Sequence, residues 1–269
     1  MKTITSRDNP LYKDLKRLAT HSQARRKAGQ TLLDGVHLCD AYLQYLGAPL
    51  LCAVSASAIV MPEVANIVSR CEAASVQCIQ LPDALYNTVS QVENGVGILF
   101  LIDVPQQPVP TQLMRDAVLL DQVQDPGNLG SMLRSAAAAG IKEVYCSPGT
   151  ALAWSPRVLR SGMGAHFVLK IFENVDLSTL LQASRLPVLA TSSHAPRTIY
   201  DADLSQPLAW LFGNEGQGVS EGLLKRATDL VAIPHAGAME SLNVAASAAV
   251  CLFEQLRQRS VRSAIKRIS

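Results

Sequence analysis

The 269-residue chain has few aromatic side chains, few charged side chains and no long apolar run. Aromatic residues make up 5% of the chain and charged residues 17%, whereas hydrophobic residues make up 48%. This composition excludes a disordered or fibrous protein, and it supplies enough apolar side chains for one large core or two smaller ones. The longest apolar stretches, such as 96–102, are too short to cross a bilayer, so we expect no membrane partner.

Several signals of metal, redox or secretory proteins are also missing. The six cysteines include no C-x-x-C pair, and no metal-ligand spacing links them to the five histidines. We therefore expect reduced, buried thiols and no metal. The first residues contain no apolar segment of the kind found in a secretory signal, so we expect a cytoplasmic protein.

The net charge of +2 hides an uneven distribution. Residues 1–30 carry eight basic and two acidic side chains, and residues 31–100 carry a single basic one, Arg70. The C-terminal segment adds a further group without any acid among them, namely Arg257, Arg259, Arg262, Lys266 and Arg267. Basic ends around a nearly neutral body suit contact with nucleic-acid phosphates, although the same charges also fit simple solvation of helices.

A proline-rich segment over 103–112 divides the chain. Its three prolines remove backbone donors and favour a stiff connector, so we predict a domain over 1–104, a linker over 105–115 and a second domain over 116–269. In the first domain we predict strands at 30–34, 50–55, 76–80 and 97–102 and helices at 10–20, 36–46, 62–73 and 82–89. In the second we predict strands at 117–121, 143–146, 187–191, 208–213 and 230–233 and helices at 129–139, 155–161, 176–183, 220–226 and 242–258. This alternation predicts a small α/β sandwich followed by a mostly parallel sheet flanked by helices.

The first of three motifs follows the strand at 117–121. A Pro-Gly turn leads to Asn128, where we predict a helix N-cap, and Arg134 shares a helix face with the small residues Gly130 and Ala138. Small neighbours would let another chain or a ligand approach the guanidinium. Alone, the motif fits equally well a capped helix with a surface arginine.

The second motif is a loop with glycines at 213, 216 and 218 directly after a predicted buried strand. Glycines in such a place permit close backbone approach to a ligand. The order of the glycines differs from that of a dinucleotide fold, and no Walker lysine follows. Glu215, between two of them, fits either a site residue or a solvated turn residue.

The third motif runs from Ile233 to Val250. We predict Ser241 as the N-cap of a helix whose apolar line packs in the core. That line comprises Leu242, Ala245, Ala249, Phe253 and Leu256. Asn243, in the first turn, is poorly placed for core packing and points to a site. A capped core helix without a site is the alternative.

Together the three motifs resemble the signature of the SpoU (TrmH-type) family of RNA ribose 2′-O-methyltransferases, in the SPOUT superfamily. They match N-L-G-x-x-x-R-x-A, G-x-E-G-x-G and I-P-x-x-G-x-x-x-S-L-N-V, and the resemblance covers 117–258. Residues 1–102 resemble more loosely an L30e-like RNA-binding domain. His235 and Ala245 depart from the frequent Met and Ser, and neither position carries chemistry in the family.

The resemblance implies a C-terminal trefoil-knotted domain that binds S-adenosyl-L-methionine and forms a homodimer with the active site at the interface. The cofactor residues it implies are Ala190, Thr191, Gly213, Asn214, Gly216, Ile233, Ser241 and Leu242. The catalytic residues it implies are Asn128, Arg134, Glu215, Ser241 and Asn243. Family proposals give the arginine a base role, but a guanidinium hardly ever loses its proton, so a clamp on RNA phosphate is the safer assignment.

The resemblance also implies structured RNA as the substrate, with 23S ribosomal RNA favoured over transfer RNA by the N-terminal domain. The basic segment 10–27 would then contact phosphates. The RNA-binding residues we expect are Lys13, Arg25, Arg26, Lys27 and Arg134. The alternatives are a tRNA methyltransferase, a knotted RNA-binding protein without activity and, more remotely, an NAD enzyme.

Overall fold

The computed structural model describes residues 1–90, 92, 95–238 and 241–265, with side chains up to 261. The strands are β1 Lys2–Thr3, β2 Gln30–Asp34, β3 Leu51–Ser55, β4 Gln77–Leu81, β5 Ile98–Asp103, β6 Ala117–Leu120, β7 Glu143–Cys146, β8 Lys170–Phe172, β9 Val188–Thr191, β10 Arg197–Thr198, β11 Ala209–Phe212 and β12 Asp229–Ala232. The helices are α1 Pro10–Thr20, α2 Ser22–Ala28, α3 Val36–Tyr45, α4 Pro62–Ala73, α5 Asp83–Tyr86, α6 Pro126–Ala138, α7 Pro156–Gly162, α8 Leu177–Ala183, α9 Glu221–Leu224 and α10 Val244–Ile265.

The chain divides into two compact units, one of 1–106 with 154–167 and one of 107–153 with 168–269. Segment 154–167, which contains α7, thus belongs with the first unit, whereas the sequence placed it in the second domain. Two contacts explain the difference. The Thr31 hydroxyl donates to the Trp154 carbonyl (2.9 Å), and the rings of Tyr42 and Phe167 meet edge-on with centroids 5.5 Å apart.

The first unit contains a mixed sheet with the strand order β1-β4-β3-β5-β2. β1, β4 and β3 run parallel, and β5 is antiparallel to both β3 and β2. Strand β3 is buried along its whole length, as expected for a strand covered on both faces. The basic segment 10–27 is two helices rather than one, because the chain at His21 is extended between α1 and α2.

The second unit contains a parallel sheet with the order β10-β12-β9-β11-β6-β7-β8. Every neighbouring pair in it is parallel. The central strands β6 and β11 are buried at each residue, which is why they read in the sequence as continuous apolar runs. The predicted α/β class with a mostly parallel sheet is confirmed. The short strands β8 and β10 were missed.

Two helix caps differ from the prediction. Helix α6 begins at Pro126 with Asp125 as its N-cap, because the fixed φ of proline suits the first helical position. The Asp125 carboxylate accepts from the backbone N–H of Asn128 (2.7 Å), so the predicted cap at Asn128 is wrong. Helix α10 is capped by Asn243 rather than Ser241. Its Oδ1 accepts from the N–H groups of Ala245 (2.9 Å) and Ala246 (3.2 Å).

The predicted core face of α10 is confirmed at Ala245, which is buried, but it is wrong at three of its five residues. Of the expected apolar line, Leu242, Phe253 and Leu256 are 41%, 47% and 38% exposed. The residues that α10 buries include Ala248, Leu252 and Gln255, whose Oε1 accepts from the indole N–H of Trp210 (2.7 Å). Because Gln255 is polar, a pattern of apolar residues does not identify it as part of the buried face of the helix.

Candidate functional site

The candidate site lies at the carboxyl ends of the parallel strands in the second unit, where ligands commonly bind in open α/β sheets. The loops after β6, β9, β11 and β12 all begin at this edge, since the strands run in one direction. The three sequence motifs supply the loops after β6, β11 and β12. The fold therefore brings together segments that are about a hundred residues apart in sequence.

Glu215 fastens the glycine loop (residues 213–220) to the segment before α6. Its carboxylate accepts from the backbone N–H groups of Gln124 (3.2 Å) and Asp125 (3.0 Å) and from the side-chain amide of Asn128 (3.1 Å). Hydrogen bonds to an ionised carboxylate are the stronger kind. Glu215 is therefore a structural link between two motifs rather than a solvated turn residue.

Asn128 extends this link to the third motif. Its Oδ1 accepts from the side-chain amide of Asn243 (2.9 Å), and Asn243 in turn caps α10. A chain of hydrogen bonds thus runs from Glu215 through Asn128 to Asn243. Each amide has its donor and acceptor ends fixed by a different partner, so both orientations are determined.

The pKa of Glu215 lies below its ordinary value. Partial burial raises the pKa, but the hydrogen bonds from Asn128 and from the backbone of Asp125 and Gln124 together outweigh this and lower it. Glu215 is consequently ionised at neutral pH. With its acceptor sites engaged, it is a poor proton acceptor and a good anchor.

The glycine loop is held in shape by its own side chains and by its glycines. The amide of Asn214 donates to the Gln122 carbonyl (2.9 Å), and its Oδ1 accepts from the N–H groups of Gly216 (2.9 Å) and Gln217 (3.1 Å). A Cβ on Gly213 would stand 2.0 Å from the backbone carbon of Gly218. Only glycine at 213 lets the loop fold back this closely.

An open cavity of about 460 Å³ lies between this loop and the segments after β9 and β12. It is lined by seven of the eight cofactor residues expected from the sequence, namely Thr191, Gly213, Asn214, Gly216, Ile233, Ser241 and Leu242. Ala190, the eighth, is fully buried in β9 and does not line it. Lining residues that the sequence did not single out include Ser192, His194, Gln217, Val219, His235 and Ser247. Gln217, Val219, His235 and Ser247 lie within the second and third motifs, whereas Ser192 and His194 follow β9, where no motif marks the sequence.

The cavity fits a small organic ligand better than a metal ion. Its volume lies in the range of small-molecule pockets, and its lining mixes apolar side chains with hydroxyls, amides and backbone of a glycine loop. Within the part of the chain that the structure describes, no group of three His, Cys, Asp or Glu is placed to hold a metal. Burial raises the pKa of Cys251 to about 12, so its thiol is not a nucleophile.

Two of the expected catalytic residues lie outside the hydrogen-bonded chain. Ser241 is exposed at the cavity wall. Arg134 is exposed on α6, six residues and about 9 Å of helix rise beyond Asn128. Among the described residues, its guanidinium has no hydrogen-bond or ion-pair partner. An unengaged cation of this kind is available to a phosphate.

The basic residues expected to bind RNA differ in their exposure and in whether they already have partners within the protein. Arg25 donates through Nη1 to the carbonyls of Leu18 (2.6 Å) and Ala19 (3.3 Å) at the end of α1, which engages part of its guanidinium, and its expected phosphate contact stays a prediction. Lys13 pairs with Asp8 (2.8 Å) at the surface. Arg26 and Lys27 are exposed.

Two of the five basic C-terminal residues are engaged as well. Arg257 pairs with Glu254 (2.7 Å) and Arg259 with Asp116 (2.9 Å), so the local absence of acids in the sequence was misleading. The side chain of Arg262, and Lys266 and Arg267, lie outside the described residues. Of the residues in the first unit that we expect to bind RNA, Arg26 and Lys27 are thus the exposed ones without an ion pair among the described residues.

Comparison with known proteins agrees with this geometry. The model of the SpoU rRNA Methylase family matches residues 116–253. The chain is 32% identical over 255 residues to the 23S rRNA (guanosine(2553)-2′-O)-methyltransferase RlmP of Bacillus subtilis, covering 94% of this chain and 98% of that protein.

Solved structures match over nearly the whole chain. An RNA 2′-O ribose methyltransferase has a TM-score of 0.78 and 31% identity and covers 96% of this chain and 99% of its own. An AdoMet-bound rRNA methyltransferase from Sinorhizobium meliloti has a TM-score of 0.82 and 26% identity, with coverage of 95% and 97%. The family expected from the three motifs is confirmed, and the chain belongs to the SpoU rRNA methylase family.

Proposed function

We propose that this protein transfers a methyl group from S-adenosylmethionine to a ribose 2′-hydroxyl of ribosomal RNA. The observation that carries the proposal is the hydrogen-bonded chain from Glu215 through Asn128 to Asn243 beside a cavity lined by a glycine loop. The relative from Bacillus subtilis, similar over almost its whole length, acts on 23S rRNA, which favours ribosomal over transfer RNA.

The cofactor would lie in the cavity against the glycine loop, Ile233 and Leu242. When bound, S-adenosylmethionine supplies a methyl carbon whose bond to sulfur breaks as the bond to the ribose oxygen forms, and the hydroxyl proton would pass to water at this open site. The residues of this chain hold the reactants in line. That is a large part of what is needed, because correct placement of two reactants is worth several kcal/mol of the barrier.

Arg134 would act on the RNA rather than on the cofactor. Its exposed guanidinium is free to hold the phosphate next to the modified ribose through two parallel hydrogen bonds. A base role is disfavoured because arginine stays protonated. Asn128 and Asn243, oriented by the charge of Glu215, would form the polar surface that contacts the ribose.

A homodimer through the second unit completes the proposal. Leu242, just before α10, and Phe253 and Leu256 on the helix are exposed apolar side chains, which an isolated subunit would leave in water. The last strand in the sequence, β12, lies between β9 and β10 in the sheet, an order compatible with the knotted connection expected from the family. The first unit, L30e-like by the expectation from sequence, would contribute Arg26 and Lys27 to RNA binding in the cytoplasm.

The test is transfer of labelled methyl groups from S-adenosylmethionine to unmodified ribosomal RNA, followed by digestion to nucleosides. The wild-type protein should yield a 2′-O-methylated nucleoside. Arg134→Ala should lose most turnover while keeping its thermal stability and cofactor affinity, because the side chain has no partner within the described protein. Label on a base, or wild-type turnover by the variant, would contradict the proposal.

A further inference from the structure

Asp121, the first residue after β6, is a carboxylate that is buried in the second unit. Its side chain is 4% exposed. Buried carboxylates normally pair with a positive charge, because desolvation of an ionised group is costly. Among the residues that the structure describes, no cation contacts Asp121. Its oxygens accept from two neutral donors in this part of the chain, the backbone N–H of Ser220 (2.9 Å) and the hydroxyl of Ser147 (3.3 Å).

These two donors connect three separate strand ends. Ser147 follows β7, and its hydroxyl also accepts from the backbone N–H of Gln122 (2.9 Å), which has the left-handed φ of 55°. Ser220 closes the glycine loop that follows β11. The Asp121 side chain therefore ties the end of β6 to the end of β7 and to the far end of the glycine loop.

The near end of the same loop is tied to the same segment. Asn214 donates to the carbonyl of Gln122, the residue next to Asp121. Between these two ties lie Gly216, Gly218 and Val219, all of which line the cavity. The shape of this cavity wall thus depends on these two ties and on Glu215, and Asp121 supplies the tie next to Val219.

We propose that Asp121 is a positioning residue for the cofactor, which acts by holding Ser220 and hence the wall formed by 216–219. This inference rests on the proposed function for the identity of the ligand. Asp121 itself touches no ligand. Its role is carried by hydrogen bonds, so an asparagine at the same place should preserve most of it, with its oxygen toward Ser220 and its amide toward the Ser147 hydroxyl.

The first experiment compares Asp121→Ala and Asp121→Asn with Asp116→Ala. Asp116 is a matched control in the same unit, because its carboxylate accepts from the Leu208 N–H (2.9 Å) and pairs with Arg259 away from the cavity. Calorimetry with S-adenosylhomocysteine should show affinity at least about tenfold weaker for Asp121→Ala and within about threefold of wild type for Asp121→Asn. Asp116→Ala should lower Tm and leave the affinity unchanged. Unchanged affinity in Asp121→Ala, or an equal loss in the control, would overturn the inference.

A second variant removes the backbone N–H of Ser220, which is the donor to Asp121, and leaves the carboxylate in place. The backbone at Ser220 has φ −62°, which proline adopts, so Ser220→Pro deletes the N–H while keeping the carboxylate. Ser220→Pro should weaken binding as Asp121→Ala does, and the double variant should be no weaker than either single one. Additive losses would count against a shared mechanism.

Amide hydrogen exchange separates this inference from the proposed function. In Asp121→Ala, the amides of 216–219 should exchange faster than in wild type, whether or not any cofactor is present. If wild type binds neither S-adenosylmethionine nor S-adenosylhomocysteine, the proposed function fails, and the exchange result still decides the role of Asp121. Unaltered exchange at 216–219 would refute it.

Discussion

Asn243 both caps α10 and donates a hydrogen bond to Asn128, and two different substitutions separate these roles. Its Oδ1 caps α10 through Ala245 and Ala246, and its amide donates to Asn128. Asn243→Ala removes both. Loss of a helix cap costs about 1 kcal/mol, and loss of an exposed hydrogen bond between neutral amides about 0.5 kcal/mol. The total of about 1.5 kcal/mol should lower the Tm of the second unit by about 3–6 °C.

Asn243→Asp should keep the cap and lose only the link. Aspartate caps as well as asparagine, and its charge at a helix N-terminus adds about 0.3–1 kcal/mol, which offsets the lost hydrogen bond. Tm should therefore stay within about 2 °C of wild type. Turnover should nonetheless fall at least about tenfold, since a carboxylate oxygen would face the Oδ1 of Asn128 and turn that amide away from Glu215.

The assay is thermal denaturation alongside methyl transfer to ribosomal RNA. Asn9→Ala is the matched control, because Asn9 caps α1 in the first unit through Leu11 and Tyr12. It should lose comparable stability and keep its turnover per folded molecule. Wild-type turnover by Asn243→Asp would refute the reasoning about the link, and an unchanged Tm in Asn243→Ala would refute the cap.

Three further predictions follow from the site and the first unit. Because hydrogen bonds depress the folded pKa of Glu215, its stabilising effect is present above the ordinary value of 4.5 and is lost as pH falls through the folded value. In urea unfolding, Glu215→Gln should therefore have a lower free energy of unfolding than wild type at neutral pH, and this difference should shrink in acid. A difference that stays constant with pH would contradict the prediction. Gly213→Ala should cost about 2 kcal/mol or more from its clash with the loop backbone, whereas Gly222→Ala, with no atom within 4 Å, should be neutral or slightly stabilising. The double change of Arg26 and Lys27 to Ala should flatten the salt dependence of RNA binding, reducing the log–log slope by about 1.5, and an unaltered slope would remove this patch from the interface.

Much of the fold could be predicted because apolar runs and helical periodicity report burial directly. The strands over Gln30–Asp34 and Glu143–Cys146 begin and end where the sequence indicated. The short strands β8 and β10 escaped because two or three residues carry no usable pattern. The association of 154–167 with the first unit depends on contacts with Thr31 and Tyr42, which lie more than a hundred residues away.

The sequence predicted which residues form the site better than it predicted how they are arranged. Glu215, Asn128 and Asn243 were selected together, but their mutual hydrogen bonds follow from how parallel strands bring their ends to one edge. The caps were misassigned because two polar residues competed at each helix start. Pro126 at the first helical position was the signal that favoured Asp125 over Asn128.

Asp121 was missed for a different reason. A single acidic residue after a buried strand resembles an ordinary turn residue, and only its burial shows that it is an internal tie. Arg25 shows the converse, since a residue selected for its charge also has a structural role, namely donation to a carbonyl of α1.

The most direct test of the account is a map of ribose 2′-O-methylation across the ribosomal RNA of cells with and without this protein. The account predicts that one ribosomal RNA position loses its ribose methyl group in the absence of the protein and regains it when the wild-type chain, but not Arg134→Ala, is restored. Identical methylation maps in the two kinds of cell, or a change confined to base methylation, would contradict it.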